Sequence, residues 1–190
     1  FSNNVVVNMK KTDFKKNEII FNINFGLGGL SVPKGKEGLS HLAGIVMNEG
    51  GLEKMSKTDL IKSLAGKNVS SYFIVEANSF LLHSQTTPDD FELNLQLSRA
   101  MLLSPGFREE AGEVMKKNME QTYNSLESNI SEQFQKLIND KATDGNKFLY
   151  LPEKEIINSF TIIDTKNWLL SQFKDAAIEI NIVGDIDVNK

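Results

Sequence analysis

The stretch GLSHLAGIVMNEGGL, at residues 38–52, decides how this chain is organised. Its apolar residues repeat at the spacing of one helix face: Leu39, Leu42, Ala43, Val46 and Met47. This period predicts a helix over residues 37–48, and the pair Gly50 and Gly51 is typical of a helix end. His41 lies on the first turn of the predicted helix, where its imidazole is the one ionisable aromatic group of the stretch.

The flanking sequence predicts five strands and further helices. Alternating apolar residues indicate strands at residues 5–9, 18–25, 69–77, 80–86 and 177–183, of which the first two are expected to be neighbours. Helical periods and cap residues indicate helices at residues 56–64, 87–103, 108–140, 153–160 and 165–173, with a loop at 141–146. Weak helix formers at 124–129 are expected to bend or interrupt the longest helix, and Asp164 is expected to cap the last one.

Strands and helices are segregated along the chain, so the fold class expected is α+β. We predict a mostly antiparallel sheet with helices packed on one face, in a single domain spanning residues 1–190. A chain of 190 residues with 40% hydrophobic residues is long enough to bury a core without a disulfide or a metal.

Composition excludes several classes of function. The chain has no cysteine, which rules out disulfides and thiolate zinc sites. Its net charge of −4, without a dense cluster of Lys and Arg, argues against nucleic-acid binding. No run approaches the roughly 20 apolar residues that a membrane-spanning helix needs, so no membrane span is expected.

The stretch at 38–52 resembles the zinc-binding helix of the pitrilysin/insulinase metallopeptidases, the inverzincins, which carry H-x-x-E-H. His41 keeps the first histidine, while Gly44 stands at the glutamate position and Ile45 at the second histidine. Further similar segments follow in the family's order from residue 4 to residue 187. They include NMKKTDF at 8–14, LAGKNV at 64–69, SPGF at 104–107 and IVGDID at 182–187.

The resemblance also implies a carboxylate ligand on a later helix. Glu120 lies 75 residues after Ile45, with Glu113 two turns earlier, so the distal positions are present. One histidine and one glutamate leave a four-coordinate zinc short of protein ligands, and Gly44 supplies no base for the bound water. We therefore predict no catalytic residue and no metal site in this chain. His41 is expected to be a structural side chain and not a ligand, and Glu113 and Glu120 are expected to lie on a solvated helix face.

Two other possible sites are explained by ordinary structural roles. His83 lies within a predicted strand with no carboxylate partner in the pattern, so it is expected to be a sheet-face residue, and no G-x-S-x-G is present. Gly28 and Gly29 follow a strand, but the G-L-G-G-L sequence lacks the lysine and the spacing of a phosphate loop. This turn is expected to be a flexible strand exit.

The resemblance implies a role as a non-catalytic domain of a pitrilysin-like zinc metallopeptidase. Such a domain would form the wall of the peptide chamber opposite the catalytic half, and zinc would belong to that half. Its partners would be the catalytic half, in the same polypeptide or another subunit, and unfolded peptide. Two alternatives stay open: a structural or interaction subunit without a peptidase role, and a zinc peptidase with altered ligands. The bacterial periplasm or cytoplasm suits the absence of cysteine.

Overall fold

The computed structural model describes residues 5–142, 153–174 and 176–187. The strands are β1 (Val6–Lys11), β2 (Ile19–Phe25), β3 (Val69–Val75), β4 (Phe80–Thr86) and β5 (Ile178–Gly184). The helices are α1 (Leu39–Glu49), α2 (Lys57–Ser63), α3 (Phe91–Leu103), α4 (Glu109–Ser128), α5 (Ile130–Ala142), α6 (Lys154–Ser159) and α7 (Ile162–Phe173). These bounds agree with the predicted ones to within two residues, except at the starts of α3 and α7.

The five strands form one mixed sheet in the order β1-β5-β2-β4-β3. β1 and β5 are parallel, and the other three pairings are antiparallel, so the α+β class and the mostly antiparallel sheet are confirmed. The prediction that β1 and β2 are neighbours is wrong, because β5 lies between them. The connection at 12–18 passes around the end of β5, where the amide of Asp185 donates to the carbonyl of Glu18 at 2.8 Å.

The helices cover one face of this sheet. Along β2 and β4 the buried side chains alternate with exposed or half-buried ones, and the register brings the buried ones onto the same face. That face carries the core residues Ile19, Phe21, Ile23, Phe25, Phe80, Leu82, Ser84 and Thr86. The opposite face carries side chains that are exposed or half-buried, such as Ile20, Asn22 and Asn24. We call it the open face.

Aromatic side chains fill the core where β2, β3 and β4 meet α7. Phe25 stacks on Phe80 with ring centroids 5.4 Å apart, and Phe173 packs edge-on against Phe25 at 5.1 Å. Phe73 and Trp168 complete the cluster around Phe80, at 5.9 and 5.6 Å. Burying an aromatic side chain contributes on the order of 2–3 kcal/mol, so this cluster holds α7 against the sheet.

Glycines set both ends of α1. Gly38 precedes the helix with φ of 112°, a left-handed conformation that a residue with a Cβ adopts only under strain. Gly50 follows it and lies against Gly106, so closely that a Cβ on Gly50 would meet the Gly106 carbonyl oxygen at 1.7 Å. The double glycine therefore ends the helix and also lets the α3–α4 connection approach it.

The long helix predicted at 108–140 is interrupted, as its weak formers indicated. α4 ends at Ser128, Asn129 has an extended backbone, and α5 begins at Ile130. The side-chain oxygen of Asn129 accepts from the amide of Ser131 at 3.0 Å, which is how an asparagine favours a new helix start. Lys141 and Ala142, expected in a loop, belong to α5, and residues 143–146 of that expected loop lie outside the described residues.

α3 and α7 begin at residues other than the predicted ones, and each difference has a structural cause. α3 begins at Phe91 because Asp90, predicted inside the helix, points its carboxylate at the amide of Asn68, 2.8 Å away. α7 begins at Ile162, three residues early, because Thr161 caps it. Asp164 lies inside the helix and closes a capping box, with its carboxylate accepting from the amide of Thr161 at 2.9 Å. The prediction that Asp164 itself is the cap is wrong.

Candidate functional site

One stripe of α1 carries the positions that the sequence comparison singled out. His41, Gly44, Ile45 and Asn48 are spaced i, i+3, i+4 and i+7, so they share a helix face, and all four are half-buried. The residues of the opposite face, Leu39, Leu42, Ala43, Val46 and Met47, are buried in the core. The stripe is therefore a boundary between the packed interior and the surface beside α1.

This stripe lies along the outer edge of β3. The side-chain amide of Asn48 donates to the carbonyl of Phe73 at 2.8 Å, and its oxygen accepts from the amide of Phe73 at 2.8 Å. The same amide also donates to the carbonyl of Gly44, one turn back, at 2.7 Å. A Cβ on Gly44 would lie 3.8 Å from the Phe73 carbonyl oxygen. Gly44, which the resemblance aligns with the glutamate of H-x-x-E-H, thus faces a strand edge at the residue that Asn48 binds.

Ile45, which the resemblance aligns with the second histidine, makes an apolar contact. Its side chain is half-buried and packs against the hydrophobic core. The isoleucine side chain has no nitrogen that could bind a metal. His41 therefore supplies the one imidazole of this stripe.

The two distal carboxylates lie on the solvent side of α4. The helix buries Met115, Met119 and Tyr123, whereas Glu113 and Glu120 are exposed. Within residues 5–142, 153–174 and 176–187, no group of three His, Cys, Asp or Glu side chains could hold a metal ion. The described residues therefore provide no ligand set that fits a zinc ion.

His83 lies on the open face, as expected of a sheet-face residue. Its Nδ1 is 2.8 Å from the side-chain oxygen of Asn22 on β2. The register extends this pair into a row across all five strands, formed by Asn8, Asn181, Asn22, His83 and Tyr72. The row could not be found from the sequence, because alternation assigns each residue to a face but leaves the strand order open.

The glycine turn after β2 is used by the fold itself. It forms a short 3-10 turn, Gly28–Ser31, in which the amides of Gly29 and Leu30 donate to the carbonyls of Glu76 and Ala77 at 2.8 and 2.9 Å. The expectation of a flexible strand exit is wrong, because this turn is bonded to the end of the β3–β4 hairpin. Amides that a phosphate would need are already paired.

A buried polar cluster also escaped the sequence reasoning. Ser71, Ser84, Asn94 and Ser98 join β3, β4 and α3 through side-chain hydrogen bonds of 2.8–3.2 Å, and three of the four are fully buried. The Asn94 amide also donates to backbone carbonyls of both strands at 3.1 Å. In the sequence, the indication of this cluster is that small polar residues stand at positions of α3 that face the core. Since each hydroxyl has a protein partner, the cluster positions α3 and leaves no group free for chemistry.

One lowered pKa belongs to the carboxylate of the α7 capping box. Lys36, just before α1, hydrogen-bonds to Asp164 in α7, and with the hydroxyl and amide of Thr161 it lowers the pKa of Asp164 to about 2. The shift reflects a carboxylate held by donors on one side and a cation on the other. It connects the start of α1 to α7 and serves the fold.

Solved structures with the same fold include peptidases. The chain superposes on the periplasmic protease PqqL of Escherichia coli with a TM-score of 0.80 and 20% identity, over 99% of this chain and 21% of PqqL. It also matches a peptidase M16 inactive domain from Pseudomonas fluorescens, with a TM-score of 0.79 and 13% identity, over 98% of this chain and 46% of that one.

This chain has the fold of an M16 peptidase domain. A third structure, the first half of PqqL, agrees with a TM-score of 0.77 at 10% identity, over 98% of this chain and 42% of that one. The chain thus spans about a fifth of PqqL and less than half of the two shorter structures. No protein-family model matches the sequence, and no curated protein matches it either. Among the described residues no helix is long and apolar enough to cross a membrane.

Proposed function

We propose that this chain is a non-catalytic domain of an M16, pitrilysin-type zinc peptidase. It forms the wall of the peptide chamber opposite the catalytic half and supports proteolysis by the parent protein. The observation that carries the proposal is the stripe of α1, where Gly44 and Ile45 replace the base and a ligand and Asn48 binds the strand edge beside them. The catalytic zinc then belongs to another part of the parent.

A second surface, on α5, is suited to contact with further domains. α5 carries apolar side chains at i, i+4, i+7 and i+8, namely Ile130, Phe134, Leu137 and Ile138, exposed by 83%, 61%, 56% and 42%. None of its described side chains is buried, and its main packing partner is α4. An exposed stripe of this kind is typical of a protein–protein interface. It supports the inference that α5 packs on another domain, as the greater length of PqqL also suggests.

The exposed apolar side chains of α5 also favour the second candidate function, a structural or interaction subunit with no peptidase role. Both functions need an interface on α5, and they differ in whether a catalytic centre is present elsewhere in the assembly. The sequences of the full polypeptide and of its partner subunits distinguish the two functions. If none of them contains H-x-x-E-H, the structural subunit is favoured.

The test compares the isolated chain with its parent. We expect the purified chain to contain far less than one zinc per molecule by mass spectrometry and to leave an unfolded polypeptide uncleaved, while the full parent protein cleaves it in a zinc-dependent manner. Deleting residues 1–190 from the parent should abolish or strongly reduce cleavage. Stoichiometric zinc or hydrolysis in the isolated chain would overturn the proposal. Undiminished cleavage by the deleted parent would argue against a supporting role.

A further inference from the structure

An apolar cavity lies between α3 and the helix-covered face of the sheet. Apolar side chains of β2, β5 and α3 form most of its wall: Ile23, Phe25, Ile178, Ile180, Leu95 and Leu102. The register pairs Ile23 with Ile180 and Phe25 with Ile178, so these four side chains share one face of the sheet. Leu103 also lines the cavity and is exposed by 65%, which puts the mouth at the end of α3.

The cavity is large enough for a small apolar molecule. Its volume is about 330 Å³. An apolar cavity of about 150 Å³ already binds benzene, so this one accommodates an alkyl chain of about eight carbons. Such a chain leaves water as it enters, and each buried CH₂ group strengthens binding about fourfold. The wall therefore selects for apolar chain length.

Arg99 places a positive charge at the mouth of this cavity. It lines the cavity from α3, one turn before Leu103, and its side chain is exposed. Arg99 forms no ion pair with a carboxylate among the described residues, and no described residue that lines the cavity is acidic. Glu92, two turns earlier on α3, accepts a hydrogen bond from the side chain of Gln96 at 3.2 Å. A guanidinium group binds a carboxylate through two parallel hydrogen bonds, so the mouth favours an anionic head group.

We propose that this cavity is a binding site for a medium-chain alkyl carboxylate. The alkyl chain lies between α3 and the strands β2 and β5, and the carboxylate is bound by Arg99 at the mouth. Small-molecule sites typically combine an apolar wall with a few polar groups that fix the orientation of the ligand. The site goes beyond the function proposed above, and it holds whether the parent protein is a peptidase or a structural subunit.

Calorimetry with octanoate tests the proposal. We expect one site per chain with a dissociation constant of about 0.1–1 mM, as suits a ligand of this size. Hexanoate, which is shorter by two CH₂ groups, should bind about tenfold more weakly. Octanol has the same chain without the charge and should also bind about tenfold more weakly. Arg99→Gln should weaken octanoate by about the same factor and leave octanol unchanged.

Methyl NMR locates the ligand within the chain. We expect octanoate to shift the methyl resonances of Ile178 and Ile180. Leu102→Trp fills the cavity and should abolish binding of both octanoate and octanol. Ile163→Ser, at an apolar residue of α7 exposed by 67%, should leave binding unchanged. Urea denaturation verifies that each variant is folded, and if Leu102→Trp does not fold, the comparison of octanoate with octanol in Arg99→Gln still decides.

The same titration on the full parent protein should give the same affinity for octanoate. Loss of binding there would mean that another domain fills the cavity, and would overturn the proposal. No saturable binding at about 10 mM octanoate would also overturn it, as would equal affinities for octanoate and octanol or shifts confined to α5. N-acetyl-leucine is the probe for a peptide C-terminus. If it bound more tightly than octanoate, the cavity would belong to a peptide end and the proposal would be wrong.

Discussion

The side chain of Asn48 pairs with the backbone of Phe73 as a neighbouring strand would. Its oxygen and its amide nitrogen lie 2.8 Å from the Phe73 nitrogen and oxygen, respectively, so both edge groups of that residue are satisfied. Phe73 is fully buried in the aromatic cluster, while Asn48 comes from the half-buried stripe of α1. One carboxamide thus joins the helix to the sheet and satisfies the strand edge at Phe73.

Removing this carboxamide should destabilise the chain. Asn48→Ala leaves the amide and carbonyl of Phe73 without their partner, and we expect a loss of about 1–3 kcal/mol in the free energy of unfolding measured with urea. Exchange of the Phe73 amide should accelerate by about tenfold or more, since about 1.4 kcal/mol corresponds to a factor of ten. Asn118→Ala, on the exposed face of α4, is the matched control. Unchanged exchange at Phe73 would show that another group caps the strand.

Restoring the missing residues should not restore a metal site. The variant Gly44→Glu, Ile45→His supplies the glutamate and the second histidine. We expect the variant to bind zinc about 10- to 100-fold more weakly than a site whose ligands are oriented by surrounding hydrogen bonds. Calorimetry measures the affinity, and adding His41→Ala to the variant controls for adventitious binding. Tight binding that needs His41 would mean that the site is otherwise preformed, and the packing account of Ile45 would then be wrong.

The capping box of α7 should make stability depend on pH in the acid range. The pKa of Asp164 is lowered to about 2, chiefly by Lys36 and also by Thr161. A carboxyl whose pKa is lower in the folded state stabilises the fold above its unfolded pKa, near 3.8. This stabilisation should be complete above about pH 4 and lost as the pH falls towards 2.

Asp164→Asn tests this dependence. We expect it to cost about 1–2 kcal/mol at pH 7, because the capping box loses its charged acceptor, and progressively less between pH 4 and pH 2. Urea denaturation across that range measures the difference, and the exposed Asp13→Asn serves as the control. A cost that stays constant down to pH 2 would contradict the assignment of the pKa shift to this carboxyl.

The exposed stripe of α5 should be dispensable for stability and required for association. Phe134→Ser with Leu137→Ser should change the free energy of unfolding by no more than about 0.5 kcal/mol per site, because neither side chain is buried. Leu42→Ala in α1, by contrast, should cost about 2–5 kcal/mol, because Leu42 is fully buried. Sedimentation velocity with the remainder of the parent protein should show loss of binding by the double variant. Undiminished binding would place the interface elsewhere.

Much of this fold could be predicted from local patterns. Alternation along β2 and β4 assigned each side chain to a face, and helical periods located α1 and the α4–α5 region, including its interruption near Asn129. The order of strands could not be predicted. β1 and β5 are separated by more than 160 residues, and nothing in the six residues of β1 states that its partner comes from the far end of the chain.

The stripe of α1 could be only partly predicted, again because some of its contacts come from distant parts of the chain. His41, Gly44 and Ile45 are defined by their spacing on one helix, so the sequence alone revealed them. Asn48 looked like an ordinary residue near a helix end, because its partner Phe73 lies 25 residues away on another element. Glu113 and Glu120 had the expected spacing, yet the rotation of α4 turns both towards solvent.

The sequence by itself determined the elements and their buried faces, and it predicted that Gly44 and Ile45 stand where a general base and a metal ligand would be. These depend on periodicity and residue type, which act over one or two turns of helix or a few residues of strand. The tertiary structure alone decided that β5 separates β1 from β2 and that Asn48 binds the backbone of Phe73 at the edge of β3. Those features depend on which distant segments pair, and pairing is chosen by the burial of the whole sheet against its helices.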